Sequence, residues 1–400
     1  MATVIFRGDA PEVPQVSEVE IDGYDASTTY GVTINGKTVL VAADTDEDTT
    51  ADNLITALNA SEIPEFAEIT WAEGSDSQHV QGTADTAGKP FVAAAYTSGG
   101  AGTMDPTNGN TLTAVTTSSG PNDWNVAANW SGAAVPVDAD DVWIQDTSVD
   151  ILYGIDQNAV TLASLNITAS YSGKIGLPYY DTSGDDPYAE YRERYLKIGT
   201  SVLNIGDKSG DFSGQVLLDL ESVETAITMY GTDTSSQDNR FGAVEIINSG
   251  ANSTLDMLGG SLDVAPRDDD TATIATIRQS GGSLRCSSGC TLATVTQTAG
   301  SFICAANLTT YTQRAGRSII DGTATVGTFN LYGGTCLYRS NGTITTLNLD
   351  FDGPQLSFAA DNRSRTVTDC NLKAGGIRDP NETVTWTNGV QPERGVAAVA

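Results

Sequence analysis

The chain has 400 residues, a formal net charge of −31, 18 % charged residues and 41 glycines. That length holds more than one domain and a sizeable core, and the wealth of Gly, Thr, Ser, Asn and Asp suits short strands joined by tight turns. So acidic a surface repels phosphate backbones, which argues against nucleic acid as a partner, and no apolar run reaches membrane-spanning length, which argues against membrane insertion.

The N-terminus, "MATVIFRGDAPEVPQ", lacks a basic stretch followed by an apolar one, so no secretory leader is predicted. The five cysteines are therefore expected to be reduced in a protein made in the cytoplasm. Residues 1–14 read as an N-terminal arm. In "TYGVTINGKTVLVAA", Tyr30, Val32 and Ile34 face Val39 and Val41 across Asn35-Gly36, the preferred type I′ pair, and predict a hairpin. "DEDTTADNLITALNAS" then spaces Ala51, Leu54, Ile55 and Leu58 along one stripe of a short capped helix. Strand-like segments follow at "AEITWAE", "QHVQGTAD" and "PFVAAAY", so 15–97 is read as a small α+β domain. The run Asp44-Thr-Asp46-Glu-Asp48 lacks the Gly and Glu of an EF-hand at Thr49 and Ile55, and is read as helix capping. The single His79 has no neighbouring ligand residue in its strand-like segment. Residues 98–120, rich in Gly, Thr and Ser, read as a linker.

Residues 121–158 gather Trp124, Trp130 and Trp143 in "NDWNVAANWSGAAVPVDADDVWIQD". Large rings at this point suit the covering of an open stack end, with a carbohydrate platform at Trp124 and Trp130 as the alternative. Trp124, Asn129, Trp130, Ser131, Pro136, Asp141, Val142 and Ile144 resemble the opening phrase of bacterial β-solenoid surface proteins of the autotransporter-passenger type.

Further on, Gln279-Ser-Gly-Gly-Ser-Leu-Arg-Cys returns as Gln297-Thr-Ala-Gly-Ser-Phe-Ile-Cys. The phrase recurs at Gly260, Gly282, Gly300, Gly316, Gly334 and Gly353, with spacings of 22, 18, 16, 18 and 19 residues. A unit of this size matches one coil of a parallel β-solenoid, predicted over 159–388 with a tail at 389–400. Rungs about 4.8 Å apart would stack Val264, Cys286, Cys304, Ile320 and Tyr338 into one inward column, where Cys serves as a small apolar residue. Neither a zinc site at Cys286 and Cys290 nor a disulfide is expected. An inserted loop at 179–195 carries Tyr179, Tyr180, Tyr188 and Tyr191, read as contacts to a glycan or to a protein partner.

No catalytic residues, metal or cofactor are predicted. Glycan hydrolysis needs paired carboxylates, yet between Glu245 and Glu382 there is no Glu, and from 271 to 349 the only Asp is Asp321. The clusters at Asp138–Asp141, Asp185-Asp186 and Asp268–Asp270 read as solvated turns, and one histidine in another domain makes no Ser-His-Asp triad. The segment from "YGVTINGKTVLVAADTDEDTTADNLITALNAS" to "TADTAGKPF" looks like a small domain of tailed-bacteriophage virion proteins, and the repeats resemble tailspike solenoids. That resemblance implies a non-catalytic structural protein on the virion exterior, either a capsid decoration or head-fibre protein or a short tail fibre. It also implies that 15–97 is the attachment domain, and a homotrimer touching major capsid or tail proteins, with host surface glycan a further partner. The alternatives are a glycan-binding or glycan-degrading tailspike, and a bacterial β-solenoid adhesin.

Overall fold

The computed structural model describes residues 2–207, 209–210, 212–231, 243–350, 355–360 and 362–392. Gly353 and the end of the predicted tail, 393–400, lie outside them. The fold is mainly β and parallel, with two long sheets winding together as a solenoid. The first sheet begins Thr3–Phe6, Asp141–Ile144, Ser164–Ile167, Val202–Ile205 and continues coil by coil to Val384–Trp386. The second runs from Asp156–Leu162 through Leu196–Thr200 to Gly376–Arg378. The pairings within them are parallel and, apart from a shift between Gln157 and Thr161 in the first strand of the second sheet, in register, so side chains sit over their equivalents in the next coil.

Val264, Cys286, Cys304, Ile320 and Tyr338 form one such column, and all are buried. The five cysteines are free, and burial pushes the Cys336 thiol up to about 12. The Tyr338 hydroxyl is satisfied inside by the carbonyls of Ala324 and Gly342, at 3.2 and 3.0 Å. The phrase glycines turn the corner before this column in the left-handed region, with φ of +78° at Gly300, where a Cβ would lie 2.4 Å from the Gly282 carbonyl oxygen. Only glycine fits there.

The repeated glutamine also has a structural reason. Gln279, Gln297 and Gln313 are buried, and each side-chain amide donates to carbonyls at its own and the next turn. The corner carbonyls of Gly282, Gly300 and Gly316 already accept the amides of Ser301, Arg317 and Thr335 in the next coil, and the glutamines supply a second donor to each. Gln297 Oε1 accepts from the Tyr311 hydroxyl at 2.7 Å, and Gln313 Oε1 from Ser318 Oγ at 2.9 Å. Gln279 Oε1 is buried with no hydrogen-bond partner, because Val295 stands where Tyr311 stands one coil later. On the outer surface Asn330, Asn348 and Asn371 form a second amide ladder, with successive bonds of 2.8 Å.

The predicted arm at 1–14 does not stand apart, as its described residues show. Thr3–Phe6 pairs in parallel with Asp141–Ile144 as the outermost strand of the first sheet. The Trp-rich segment is its socket: Ser131 Oγ accepts from the Ile5 amide at 2.8 Å, and Asn129 Oδ1 accepts from the Ala10 amide at 2.8 Å. The head domain is thus an insertion between the first two strands of the solenoid. Its chain leaves and returns side by side, with the Val13 amide donating to the Ser119 carbonyl at 2.7 Å.

Within the head, Glu47–Asn59 is the helix, capped by Asp46, whose side chain accepts from the Thr49 amide. It packs on a sheet containing Val16–Gly23, Ile69–Glu73 and His79–Ala84, and on a three-stranded sheet ordered Lys37–Ala42, Thr28–Ile34, Ala93–Gly99. The stretch 98–120 is not a free linker. Thr103–Asp105 and Thr113–Thr116 pair with Val16–Gly23, and Met104 and Leu112 are buried in the head core. Small polar residues gave that stretch the composition of a linker, but two apolar anchors and a strand partner were enough to order it.

Replacing Ile320 with Asp is expected to cost about 4 kcal/mol or more, since it puts an unpaired charge in a packed column. Chemical denaturation reads this out, with the exposed Arg314→Ala as the near-silent comparison. Gln297→Met should cost roughly 1–3 kcal/mol more than Gln279→Met, because only the former strands a buried hydroxyl. Equal losses would show that the carbonyl contacts alone matter.

Candidate functional site

Trp124 and Trp130 present no face to a ligand. They are 0 % and 2 % exposed, with ring centroids 4.6 Å apart, and Phe6 stacks edge-on against Trp130 at 5.2 Å. The reading of these two as glycan contacts is therefore corrected. They cover the end of the hydrophobic column, while Trp143 points outward and is half-buried.

The loop at 179–195 keeps Tyr179, Tyr180 and its tip at 182–187 exposed, but it is not a free projection. Tyr180–Asp181 pairs with Tyr188–Ala189 as a small hairpin, and this hairpin folds onto the head. Tyr188 and Tyr191 both donate to Glu68 of the head, each at 2.8 Å, and the Tyr191 ring packs against the head core. These two tyrosines are structural contacts within the chain, so they too are corrected as ligand residues. Arg192 lies at the centre: it is bonded to Glu68, ion-paired with Glu190 at 3.1 Å and donates to the Pro90 carbonyl at 2.5 Å. Lys89 of the head pairs with Glu68 at 2.6 Å and with Asp181 at 2.8 Å. Asn35, at the tip of the head hairpin, donates to the Ala189 carbonyl at 3.2 Å.

This joint buries five charges that satisfy one another. Burial alone would raise the Asp181 carboxyl, but hydrogen bonds from Lys89 and Ser183 outweigh it and hold the group well below the usual carboxylate range. Burial would likewise lower Arg192, and the electrostatics of Tyr191 and Glu68 reverse that. The joint welds head to rod.

The other flank of the same insertion lies on the outer face of the second sheet. Tyr195 packs with Leu217 and Ile247, and its hydroxyl donates to Glu245 Oε2 at 2.8 Å. Glu245 faces Asp263 on the neighbouring strand, so two carboxylates occupy adjacent rungs of one outward column, about 4.8 Å apart in strand spacing. Burial pushes the Glu245 carboxyl up, partly offset by the Tyr195 hydrogen bond and by Arg267. Above this pair, Arg194 and Arg267 lie over the Tyr179 ring at 5.1 and 4.9 Å. Tyr179 and Tyr180 are the exposed members of the predicted set, at 48 % and 52 %.

Glu245 and Asp263 were missed as neighbours in the sequence. Aligning Val244-Glu245 with Leu262-Asp263 as equivalent turns of the repeat would have found them. A third feature is an open groove of about 760 Å³ on the outer face of the first sheet, lined by Thr228, Asp256, Thr276, Arg278, Thr294 and Thr296. An Asp256–Arg278 ion pair at 3.0 Å lies in it.

No protein-family model matches the chain, and no curated protein is similar to it in sequence.

Arg192→Ala leaves Glu68 and Glu190 buried without their guanidinium and is expected to cost about 3–5 kcal/mol at the joint. Calorimetry should then resolve separate head and solenoid transitions, whereas Tyr180→Ala leaves one. The pH dependence follows from Asp181. Its folded pKa lies below the unfolded value of about 3.9, so its contribution is complete above that value and is lost only as the pH falls through the folded one. A single transition is therefore expected to persist at pH 4.5.

Proposed function

We propose that this chain is a non-catalytic structural protein of a tailed-bacteriophage virion, displayed on the particle exterior. The head is the attachment module and the solenoid is the projecting element, serving as capsid decoration or head fibre, or as a short tail fibre. Its partners are other copies of itself, as a homotrimer, and neighbouring major capsid or tail proteins, with host surface glycan a further one. The observation that carries the reading is the joint. A head inserted between the first two strands, then clamped by Glu68, Lys89, Asp181 and Arg192, makes attachment module and rod one stiff body. Such a body transmits position and load from the particle to the outer tip, which a catalyst does not need.

Labelling the protein on intact particles and counting copies tests this. Hundreds per particle place it on the capsid and a handful on the tail. Absence from purified particles overturns the reading.

One specific arrangement favours a second reading, a glycan-binding or glycan-degrading tailspike. Glu245 and Asp263 sit on adjacent rungs beside Tyr179 and Arg267, and a carboxyl raised by burial suits a general acid. Against it, Glu245 has a side chain only 2 % exposed, beneath Tyr195 and Arg267. A reducing-sugar assay on host polysaccharide separates the two: the structural reading expects no release from the wild type or from Glu245→Gln. Release that Glu245→Gln abolishes would establish the catalytic one.

A further inference from the structure

The three-stranded sheet of the head ends in an open edge. Lys37–Ala42 pairs with Thr28–Ile34 on one side, and no described strand pairs with it on the other. The alternation of an antiparallel ladder fixes which groups are free. The Ala43 amide donates to the Thr28 carbonyl at 3.0 Å, so residues two and four positions back, Val41 and Val39, also turn their amides toward that neighbour. Thr38, Leu40 and Ala42 turn theirs outward. The segment has the composition of an interior strand, "KTVLVA", yet Leu40 is 48 % exposed at the edge. Val39 and Val41 pack only partly against the head core.

Natural proteins blunt such edges with proline, inward charges, bulges or a covering segment, because an unpaired apolar strand is a template for another chain. No bulge interrupts this one: its pairing runs without a register shift from Thr29–Ala42 to Ile34–Lys37. The insertion hairpin approaches only the turn, through Asn35 and Ala189. Immediately past the strand come Asp44, Asp46 and Asp48, all exposed. Asp44 is held in place there by Asn53, and Asp46 by its capping bond.

We propose that this edge is where the head grips its support, by accepting one extended strand from a partner protein, a strand that alternates apolar residues and carries Lys or Arg at the end lying beside Asp44 and Asp48. Main-chain bonds to Thr38, Leu40 and Ala42 supply affinity, and the half-buried Val39 and Val41 row supplies the apolar contact. The acidic cluster selects the basic end, and a second copy is disfavoured because Lys37, the one cation of this strand, is already paired with Glu65 at 2.8 Å. The proposal rests on the reading of the head as the attachment module and names the mechanism of attachment.

The test uses the full chain and a synthetic heptapeptide alternating valine and threonine between terminal lysines, with a glutamate-ended version as control. The expected result is amide-exchange protection at Thr38, Leu40 and Ala42 by the lysine peptide, at least about tenfold weaker with the glutamate one, a difference of about 1.4 kcal/mol. Leu40→Pro removes one outward donor and should abolish the protection. Leu40→Lys keeps every main-chain group and should weaken binding about tenfold, so it serves where Leu40→Pro does not fold. No protection, equal protection by the two peptides, or protection that appears with protein concentration alone would overturn the proposal. The last outcome would make a second copy the occupant. Copy counting on particles is independent of this measurement, so failure of the attachment reading and failure of the edge are distinguishable.

Discussion

Parallel stacking in register is the constraint on which the rest of this molecule depends. Because each strand lies directly over its equivalent, one residue choice repeated at the coil period becomes a continuous column. Inside, the Val264-to-Tyr338 column fills with apolar and thiol groups, and the buried glutamines add a second donor to the corner carbonyls. Outside, the same rule stacks asparagine amides on one another and threonine on threonine. It also brings like charges together, as at Glu245 and Asp263, and there burial and the neighbouring arginines must manage the repulsion.

A stack of coils has two ends, and each must be closed for the column to stay dry. This chain closes the first with its own N-terminal strand, set into a socket of Trp124, Asn129, Trp130 and Ser131. The head then rides on that closure, fastened a second time by the insertion around Arg192. Two fastenings far apart in sequence leave little freedom for a hinge, and the buried charges at the second are mutually satisfied.

Much of the solenoid was legible in the sequence because its determinants are local and periodic. The Gly-Ser phrase marks a corner that only a left-handed glycine can make, so it sets the phase of the column four residues later. The helix and the Asn35-Gly36 hairpin were legible for the same reason: stripe, cap and turn pair all sit within a few positions. What escaped was non-local. Nothing near Glu68 or Lys89 announces partners more than ninety positions away at Asp181 and Arg192. Nothing near Thr3–Phe6 announces Asp141–Ile144. The tyrosines of the insertion looked like a display surface because aromatic residues in a loop serve binding and packing equally well, and only placement tells Tyr179 from Tyr191.

The insertion of the head carries a consequence for biosynthesis. Thr3–Phe6 leaves the ribosome well before its strand partner, which is more than a hundred residues behind it. Between those moments the whole head is made, a closed loop whose ends at Val13 and Ser119 lie together in the folded chain. Thr3–Phe6 is thus made before the head and waits for it, because the seal on the rod can form only once Asp141–Ile144 has been made. Order of synthesis and order of assembly run in opposite directions at this end of the protein.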